Sequence, residues 1–442
     1  MKQKELSELT DQELLEEAKK VKSTSIINAV LIGIVIGIVI YSVVKNSFGF
    51  LALIPLYFAF KAFNNSKNEK ALEIELEARK LKWTRVENCK RHRQKKHKIV
   101  PKEKLKQIFR IVLLTGTAIS LFFVPWILVW AWMLPIPNTI QEQVDEAIGH
   151  GFDGVIVYVD ESGKPPAFYA AGWHDRKNKI PARPEALFKI ASIGKLYVAV
   201  AITKLVNDNR LSLDKTLADY FPELVEGIEN AERITVRMMV QHRSGIPNYF
   251  DYPGFWDNPP NSSEAALELA IEMPASFEPD EDYEYSNTNY LLLRKLIDKV
   301  VGYNNHQYIK EEILMPLQLN NTFGSLSEVD IDDVMSGYYV GYEDDYKTEE
   351  QGMLATAEDV GIFLRALNDG SVFEEGEQEI YSSIYLFEHT GLVLGYQSIA
   401  RYHKDIDAVV IQFNNTTNYD GYDWNLAEIL YSRTVKIVKR GK

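Results

Sequence analysis

Two long apolar runs in the first third of the chain limit what it can fold into. One covers residues 26–44, with Asn28 as its only strongly polar member, and the other covers residues 111–134. A helix of about 20 apolar residues is long enough to cross the roughly 30 Å hydrocarbon layer of a bilayer. Both runs are therefore predicted to be transmembrane helices. Tryptophans near the end of the second run are typical of the membrane interface.

A third apolar segment, residues 48–63, decides the topology. It is short for a span and carries Lys61, whose long side chain can reach toward the interface. The next stretch, residues 64–110, contains 16 Lys or Arg and 6 Asp or Glu, and basic loops stay on the cytoplasmic side. The segment before the first run is also basic, at residues 19–22. Both basic flanks can lie inside only if residues 48–63 cross, so three spans are expected. The alternative is an interfacial loop, which would place the rest of the chain inside.

These expectations divide the chain into five parts. They are a cytoplasmic amphipathic segment (residues 1–23), a transmembrane hairpin of two spans (24–63), a basic cytoplasmic loop (64–110), a third transmembrane helix (111–134) and an extracytoplasmic domain (138–442). The chain is thus expected to be a multi-pass protein of the plasma or inner membrane, with the lipid bilayer as a partner. The oligomeric state and any partner of the basic loop stay open.

Charge and cysteine content exclude several classes of function. Residues 1–110 carry 23 basic and 12 acidic side chains (+11), whereas the rest carries 26 and 50 (−24). Nucleic-acid binding requires basic side chains that neutralise phosphates, so no nucleic-acid partner is expected. The single cysteine, Cys89, allows neither an intramolecular disulfide nor a cysteine-based zinc site. The chain also lacks an H-E-x-x-H motif, and no metal or other cofactor is expected.

The segment after residue 138 has strand-like sequence at both ends and helical sequence between them. The predicted strands cover residues 155–159, 167–173, 391–402 and 408–413. An almost wholly apolar, buried helix is predicted over residues 196–205 and an amphipathic one over 424–438. The pattern predicts an α/β domain of the α+β kind, in which one antiparallel sheet built from both ends is flanked by helices and interrupted by a helical insertion.

Ser192 and Lys195 stand at the start of the predicted buried helix. Their i, i+3 spacing places both side chains on one helix face. A serine needs a neighbouring base to become a nucleophile, and a buried lysine can serve because burial lowers its pKa. The S-x-x-K pattern is weak by itself, since it also occurs at residues 42–45 and 212–215. The alternative reading is a helix-capping serine beside a solvated lysine.

Two further motifs follow in a fixed order. Tyr285-Ser286-Asn287 comes 93 residues after Ser192, just before a predicted helix over residues 290–301. His389-Thr390-Gly391 comes 104 residues after Tyr285, where the first C-terminal strand is predicted. With these three motifs on these elements, residues 153–417 resemble the serine β-lactamase-like family, which includes class C β-lactamases, DD-peptidases and related esterases.

The resemblance implies a two-subdomain serine β-lactamase or DD-peptidase-like fold and a role for each motif. Ser192 would attack a carbonyl and form an acyl-enzyme, while Lys195 and Tyr285 would move its proton. Substrate would lie between Asn287, which binds an amide, and the strand that carries the third motif. The residues implied on that strand are His389, Thr390, Gly391 and Leu392. The backbone N–H groups of Ser192 and Leu392 would form the oxyanion hole.

Two departures from the family pattern bear on the site. His389 stands where most class C β-lactamases have lysine, and a histidine is largely neutral at pH 7. Arg243 and Arg401 are the candidates to bind a substrate carboxylate in its place, and surface salt bridging is the alternative for both. Asp280 follows Pro279 where the family often has glycine. His242 is expected to stabilise its own turn rather than to touch substrate.

The expected function is that of a membrane-anchored serine hydrolase resembling D-alanyl-D-alanine carboxypeptidases. Its substrate would be a small peptide or ester, with a cell-wall stem peptide as one candidate. Within the same family the alternatives are an esterase, a D-amino-acid amidase or a β-lactamase. From a different class, the alternative is a catalytically silent ectodomain that binds or senses a ligand. Retention of all three catalytic side chains favours the enzyme.

Overall fold

The computed structural model describes residues 126–255, 259–260, 262–349, 352–418 and 423–441. The predicted amphipathic segment, the first two spans, the basic loop and most of the third span lie outside these residues. Within the described ranges, every helix is too short or too polar to cross a membrane.

The described residues form eleven strands and eleven α-helices. The strands are β1 Gly154–Glu161, β2 Ala167–Asp175, β3 Ile180–Pro181, β4 Phe188–Lys189, β5 Thr322–Phe323, β6 Tyr338–Tyr339, β7 Leu354–Ala355, β8 His389–Val393, β9 Tyr396–His403, β10 Ala408–Asn414 and β11 Thr416–Thr417. The helices are α1 Trp126–Met133, α2 Ile140–Gly149, α3 Gly194–Asn207, α4 Leu217–Tyr220, α5 Val236–Val240, α6 Ser263–Ile271, α7 Asn287–Val301, α8 Asn305–Ile309, α9 Ala357–Asp369, α10 Glu377–Ile384 and α11 Asp423–Arg440.

The central sheet has the strand order β3-β2-β1-β10-β9-β8, and all its pairings are antiparallel. Strand β1 joins the N-terminal hairpin to the C-terminal strands, with Val155 opposite Asn414 and Glu161 opposite Ala408. The prediction of a single sheet built from both ends of the domain is therefore confirmed. The wholly buried strand β10 lies in its centre.

The predicted strand over residues 391–402 is wrong in one respect, because it is two strands. The chain reverses between β8 and β9, where Gly395 adopts a φ of 82°. Glycine reaches this left-handed region without steric cost, so the apolar sequence turns back on itself there. The N-terminal hairpin of β1 and β2, the buried helix α3 and the amphipathic helix α11 are confirmed.

Both faces of the sheet are covered by helices, and β1 alternates between them. Ile156 and Tyr158 point into the larger core, which contains α3, α7 and α9. Val155, Val157 and Val159 point into the smaller core, which contains α2 and α11. Successive side chains of a strand face opposite sides, so a strand covered on both faces is apolar throughout. The buried helix α3 lies in the larger core and carries Lys195.

Helix α1 is fastened to α11 by one side chain. Arg433 of α11 is 3% exposed and donates to the backbone carbonyls of Ala131, Leu134 and Pro135 at 3.0, 2.7 and 3.0 Å. The same guanidinium forms an ion pair with Glu146 of α2 at 2.9 Å. The last carbonyls of a helix have no hydrogen-bond donors within that helix, and here the Arg433 guanidinium provides the donors. This Arg433 junction holds α1, whose tryptophans are exposed, against the rest of the domain.

Candidate active site

Ser192 lies in a one-turn 3₁₀ helix, Ala191–Ile193, that leads directly into α3. Strand β4 holds this turn in place by pairing with β7, and the N–H of Ile190 donates to the carbonyl of Met353 at 3.1 Å. Ala191 adopts a φ of 50°, which is uncommon for a residue other than glycine. The chain is therefore bent sharply beside Ser192, and residues held in such conformations cluster at functional sites.

Four of the side chains singled out in the sequence meet at one point. Lys195 Nζ lies 3.0 Å from Ser192 Oγ and 2.7 Å from Asn287 Oδ1. The Tyr285 hydroxyl donates to the same Ser192 Oγ at 2.8 Å. The serine hydroxyl thus lies between an amine and a phenol. This arrangement can remove a proton from the serine and return one to a departing group.

Burial shifts the pKa values of the Lys195 amine and the Tyr285 phenol in opposite directions. Burial, with a smaller contribution from the charge of Arg294, lowers the pKa of Lys195 to about 7. Burial also raises the pKa of Tyr285 above its usual value near 10. Near neutral pH a substantial fraction of Lys195 is the free amine, whereas Tyr285 keeps its proton. The site therefore provides a base and a separate acid.

The loop after α5 holds the Tyr285 motif in position. Asn248 Oδ1 accepts hydrogen bonds from the backbone N–H and the side-chain amide of Asn287, at 3.1 and 3.2 Å. His242 Nδ1 accepts from the N–H of Ser286 at 3.2 Å, and its ring centre lies 4.5 Å from that of Tyr285. Burial lowers the pKa of His242 to about 3, so the ring is neutral and can accept. The ring of His242 therefore supports the backbone of the Tyr285 motif, 44 residues away in the chain, and not its own turn as the sequence predicts.

Strand β8 is the edge strand of the sheet and runs beside the turn that carries Ser192. A β-carbon on Gly391 would come within 2.4 Å of the carbonyl oxygen of Ile190 and 2.3 Å of Ser398 Oγ. Only glycine allows this approach, which brings Thr390 and Leu392 on the same strand alongside the serine turn. The structure thus places the third motif next to the first.

His389 begins β8 and is neutral at pH 7. Its Nε2 lies 3.0 Å from the hydroxyl of Tyr385, and its ring centre lies 6.4 Å from that of Tyr285. Burial lowers its pKa to about 4. The position that is a lysine in most class C β-lactamases therefore carries no charge here, in agreement with the expectation for a histidine.

Neither arginine considered as a carboxylate anchor is available for that role. Arg243 Nε forms an ion pair with Asp280 at 2.5 Å, and Arg401 forms two hydrogen bonds to Glu428 at 2.8 and 2.9 Å. The alternative of salt bridging is the correct one for both. Asp280 adopts a φ of 68°, which explains why the family often has glycine at this position.

Two polar residues of the site were missed in the sequence. Asn248 lies in a loop without a motif, and its bonds to Asn287 join positions 39 residues apart, which no local pattern indicates. Arg294 is different, because it lies seven residues after Asn287 in one helix. That spacing indicates a shared face and was available in the sequence. Among the described residues, no group of three His, Cys, Asp or Glu is arranged to hold a metal ion.

A family model described as beta-lactamase matches residues 137–383 of the chain. Protein flp of Staphylococcus aureus (strain MW2) is 28% identical over 193 residues, which are 42% of this chain and 39% of that protein. A penicillin-binding protein of Bacillus subtilis (strain 168) is 27% identical over 191 residues, 42% of this chain and 40% of that protein. The chain therefore matches about two fifths of the length of these relatives.

Solved structures share the fold. D-amino acid amidase from Ochrobactrum anthropi SV3, complexed with D-phenylalanine, superposes with a TM-score of 0.61 and 21% identity, covering 69% of this chain and 99% of that one. An octameric penicillin-binding protein homologue from Pyrococcus abyssi superposes with a TM-score of 0.56 and 25% identity, covering 67% of this chain and 75% of that one. The expected α+β fold is thus that of several solved proteins.

Proposed function

Because the chain belongs to the beta-lactamase family, we propose that it is a serine hydrolase that forms an acyl-enzyme on Ser192. The observation that supports this most strongly is the placement of Ser192 Oγ 3.0 Å from Lys195 Nζ and 2.8 Å from the Tyr285 hydroxyl. A serine held between a base and an acid is suited to acyl transfer.

In the proposed acylation step, the free amine of Lys195 takes the proton of Ser192 as Oγ bonds to the carbonyl carbon of the substrate. The carbonyl oxygen becomes an oxyanion, for which the N–H groups of Ser192 and Leu392 are the proposed donors. The bond to the leaving group then breaks, and Tyr285 gives that group its proton. Lys195 passes its extra proton back to Tyr285. Water later attacks the ester carbon and restores the Ser192 hydroxyl by the reverse transfers.

For the substrate we propose a small peptide, with activity of the D-alanyl-D-alanine carboxypeptidase type. The likeness to penicillin-binding proteins supports this assignment. A second candidate, an esterase or a D-amino acid amidase, is favoured by the neutral state of His389 and by the ion pairs of Arg243 and Arg401. Because His389 is neutral and both arginines are engaged in ion pairs, none of these three described residues offers a free charge to a terminal carboxylate, which suits substrates that lack one. Turnover of D-Ala-D-Ala peptides, D-amino acid amides, aryl esters and cephalosporins would separate these candidates and a β-lactamase.

The experiment that tests the acyl-enzyme uses the unmodified full-length chain. Protein treated with a fluorophosphonate or a penicillin is digested, and the modified serine is located by mass spectrometry. We expect the adduct on Ser192. Ser212 is an internal control, because it has the same spacing to Lys215 but lies in a loop and accepts from the N–H of Asp214 instead. An adduct on both serines would remove the special role of Ser192. A chain that reacts with no acylating probe would instead be the silent binding domain.

We propose that the hydrolase domain lies outside the cytoplasm and is anchored by three transmembrane spans. The two long apolar runs and the basic stretch between them support this topology. Protease added to intact cells should digest the domain over residues 138–442 and spare the basic loop at residues 90–98. Immunoblots with antibodies against each region provide the measurement. Cleavage of the loop with protection of the domain would reverse the orientation.

A further inference from the structure

One face of α7 is directed at the first turn of the active-site helix α3. Asn287, Tyr290 and Arg294 are spaced three and four residues apart, which aligns them on this face. Asn287 Oδ1 is 2.7 Å from Lys195 Nζ, and that nitrogen lies 5.5 Å from the ring centre of Tyr290. The third member, Arg294, reaches Gly194, where a β-carbon would lie 3.4 Å from its Nη2.

Among the described residues, no carboxylate lies within ion-pair distance of Arg294. Other partly or fully buried arginines of the domain are paired, Arg365 with Asp160 and Asp407, and Arg433 with Glu146. A charge in the interior is costly unless it is paired. The carboxylate whose charge acts on Arg294 is Asp298, one turn further along α7, and its Oδ1 accepts from Asn305 instead of forming an ion pair with the guanidinium. A guanidinium that lacks a carboxylate in direct contact, beside a candidate nucleophile, therefore calls for a functional explanation.

Arg294 is the permanent positive charge among the groups that surround Lys195. His242, from the loop after α5, and His389, from β8, interact electrostatically with Lys195, but burial lowers their pKa values to about 3 and 4. The remaining neighbours are hydroxyl or amide groups that are neutral at pH 7. They are Ser192, Tyr285, Asn287 and Tyr290. Among the described residues, no carboxylate is a significant influence on Lys195.

We propose that Arg294 is a positioning residue that keeps Lys195 in its neutral, proton-accepting form by holding a fixed positive charge against the first turn of α3. A like charge disfavours the ammonium form of a neighbouring lysine. Burial also lowers the pKa of Lys195, so the charge of Arg294 adds to an effect that the fold already produces. The proposal rests on the acyl-enzyme mechanism proposed above and assigns one more side chain to it.

Gly194 is the residue of the S-x-x-K motif that makes room for this arrangement. A β-carbon there would stand 3.3 Å from Met353 Sδ as well as 3.4 Å from Arg294 Nη2. The first of these distances is tighter than ordinary van der Waals contact, so a larger side chain at this position would press on Met353 and touch the guanidinium of Arg294. The glycine and the arginine thus belong to one local arrangement.

The test is the pH dependence of fluorophosphonate labelling in the Arg294→Met variant of the full chain. Because the base must be neutral, labelling slows as pH falls through the pKa of Lys195. Without the positive charge of Arg294 the pKa of Lys195 rises. We therefore expect the acid limb, the part of the profile in which the labelling rate increases with pH, to move to higher pH by about one unit. Labelling at pH 6 should then be about tenfold slower than in the wild type. Above both pKa values the two rates should agree.

Two other variants separate charge from shape. Arg294→Lys keeps a cation and should keep the limb close to its wild-type position. Lys295→Met removes a charge from the next residue of α7, whose amine pairs with Glu264 on another face, and should not move the limb. A merely structural role of Arg294 would slow labelling equally at every pH. Equal slowing, or an unmoved limb in Arg294→Met, overturns the proposal. Arg294→Gln provides a second uncharged variant if the methionine variant does not fold.

A direct titration distinguishes failure of this proposal from failure of the mechanism. The full chain labelled with ¹³C at the lysine ε-carbon is titrated by NMR, and the Lys195 signal is identified by its loss in Lys195→Met. An upward shift of its pKa in Arg294→Met supports the proposal, even in a protein that reacts with no acylating probe. If the pKa of Lys195 is unchanged in Arg294→Met while Ser192 is still labelled, only the proposal for Arg294 is overturned.

Discussion

Replacing Lys195 by methionine is expected to slow acylation of Ser192 by a factor of about 10²–10⁴, the usual contribution of a general base. Methionine has a similar length and no proton-accepting nitrogen, so the Ser192 hydroxyl loses the partner that lies 3.0 Å away. The side chain at this position is only 6% exposed, and an apolar replacement avoids the cost of burying an amine. The protein should therefore stay folded. The measurement is the rate of fluorophosphonate or penicillin labelling, with thermal unfolding as the check on the fold.

The pH dependence of the labelling rate provides a second test of Lys195 as the base. The wild-type rate should rise with pH and level off above about 7, because the pKa of Lys195 is lowered to about 7 and only its neutral form accepts a proton. This limb should vanish in Lys195→Met. Lys215→Met is the matched control, since Lys215 has the same S-x-x-K spacing but is exposed in a loop. A Lys195→Met rate within a factor of about three of the wild type would exclude Lys195 as the base.

Tyr285→Phe should reduce turnover by a factor of about 10²–10³ for substrates whose leaving group needs a proton, such as amides and peptides. The variant loses only the hydroxyl that donates to Ser192 Oγ at 2.8 Å, so substrate binding should change little. Aryl esters release a stable anion and need no acid. We expect their acylation step, measured as the first release of the aryl group before deacylation, to slow by less than about tenfold. The ratio of the two losses is the measured quantity.

Tyr283→Phe provides the control for this ratio. Tyr283 is two residues away and 57% exposed, and loss of its hydroxyl should affect neither class of substrate. Equal losses for amides and aryl esters in Tyr285→Phe would show that the phenol orients Ser192 and does not protonate the leaving group. The raised pKa of Tyr285 argues for the acid role, because it keeps the proton on the phenol at neutral pH.

The sequence was most informative where a local pattern and a place in the fold coincide. Three copies of S-x-x-K occur, and only the one at Ser192 opens an apolar helix. The Tyr285 and His389 motifs were likewise recognised by the elements they precede or begin. The structure brings these three segments together, because both ends of the domain contribute to one sheet. Short apolar, β-branched runs bounded by turn residues made that sheet predictable.

Features that depend on distant partners were not predictable in this way. Arg243 and Arg401 appeared available because their carboxylate partners, Asp280 and Glu428, are 37 and 27 residues away. The reversal at Gly395 was missed because an apolar run continues on both sides of it. A local pattern gives the face of a helix or strand, but the pairing of polar side chains is decided by how the elements meet.

The Arg433 junction ties the position of α1 to that of the final helix, α11. Three carbonyls at the end of α1 and the chain after it depend on a side chain of the final helix. The connection that follows α1 is held by the same guanidinium through Leu134 and Pro135, so loss of the Arg433 side chain would remove the donors for both α1 and its connection to α2. A side chain of the final helix, which packs on the face of the sheet opposite to the active-site helix α3, thus determines how the first helix of the domain is held.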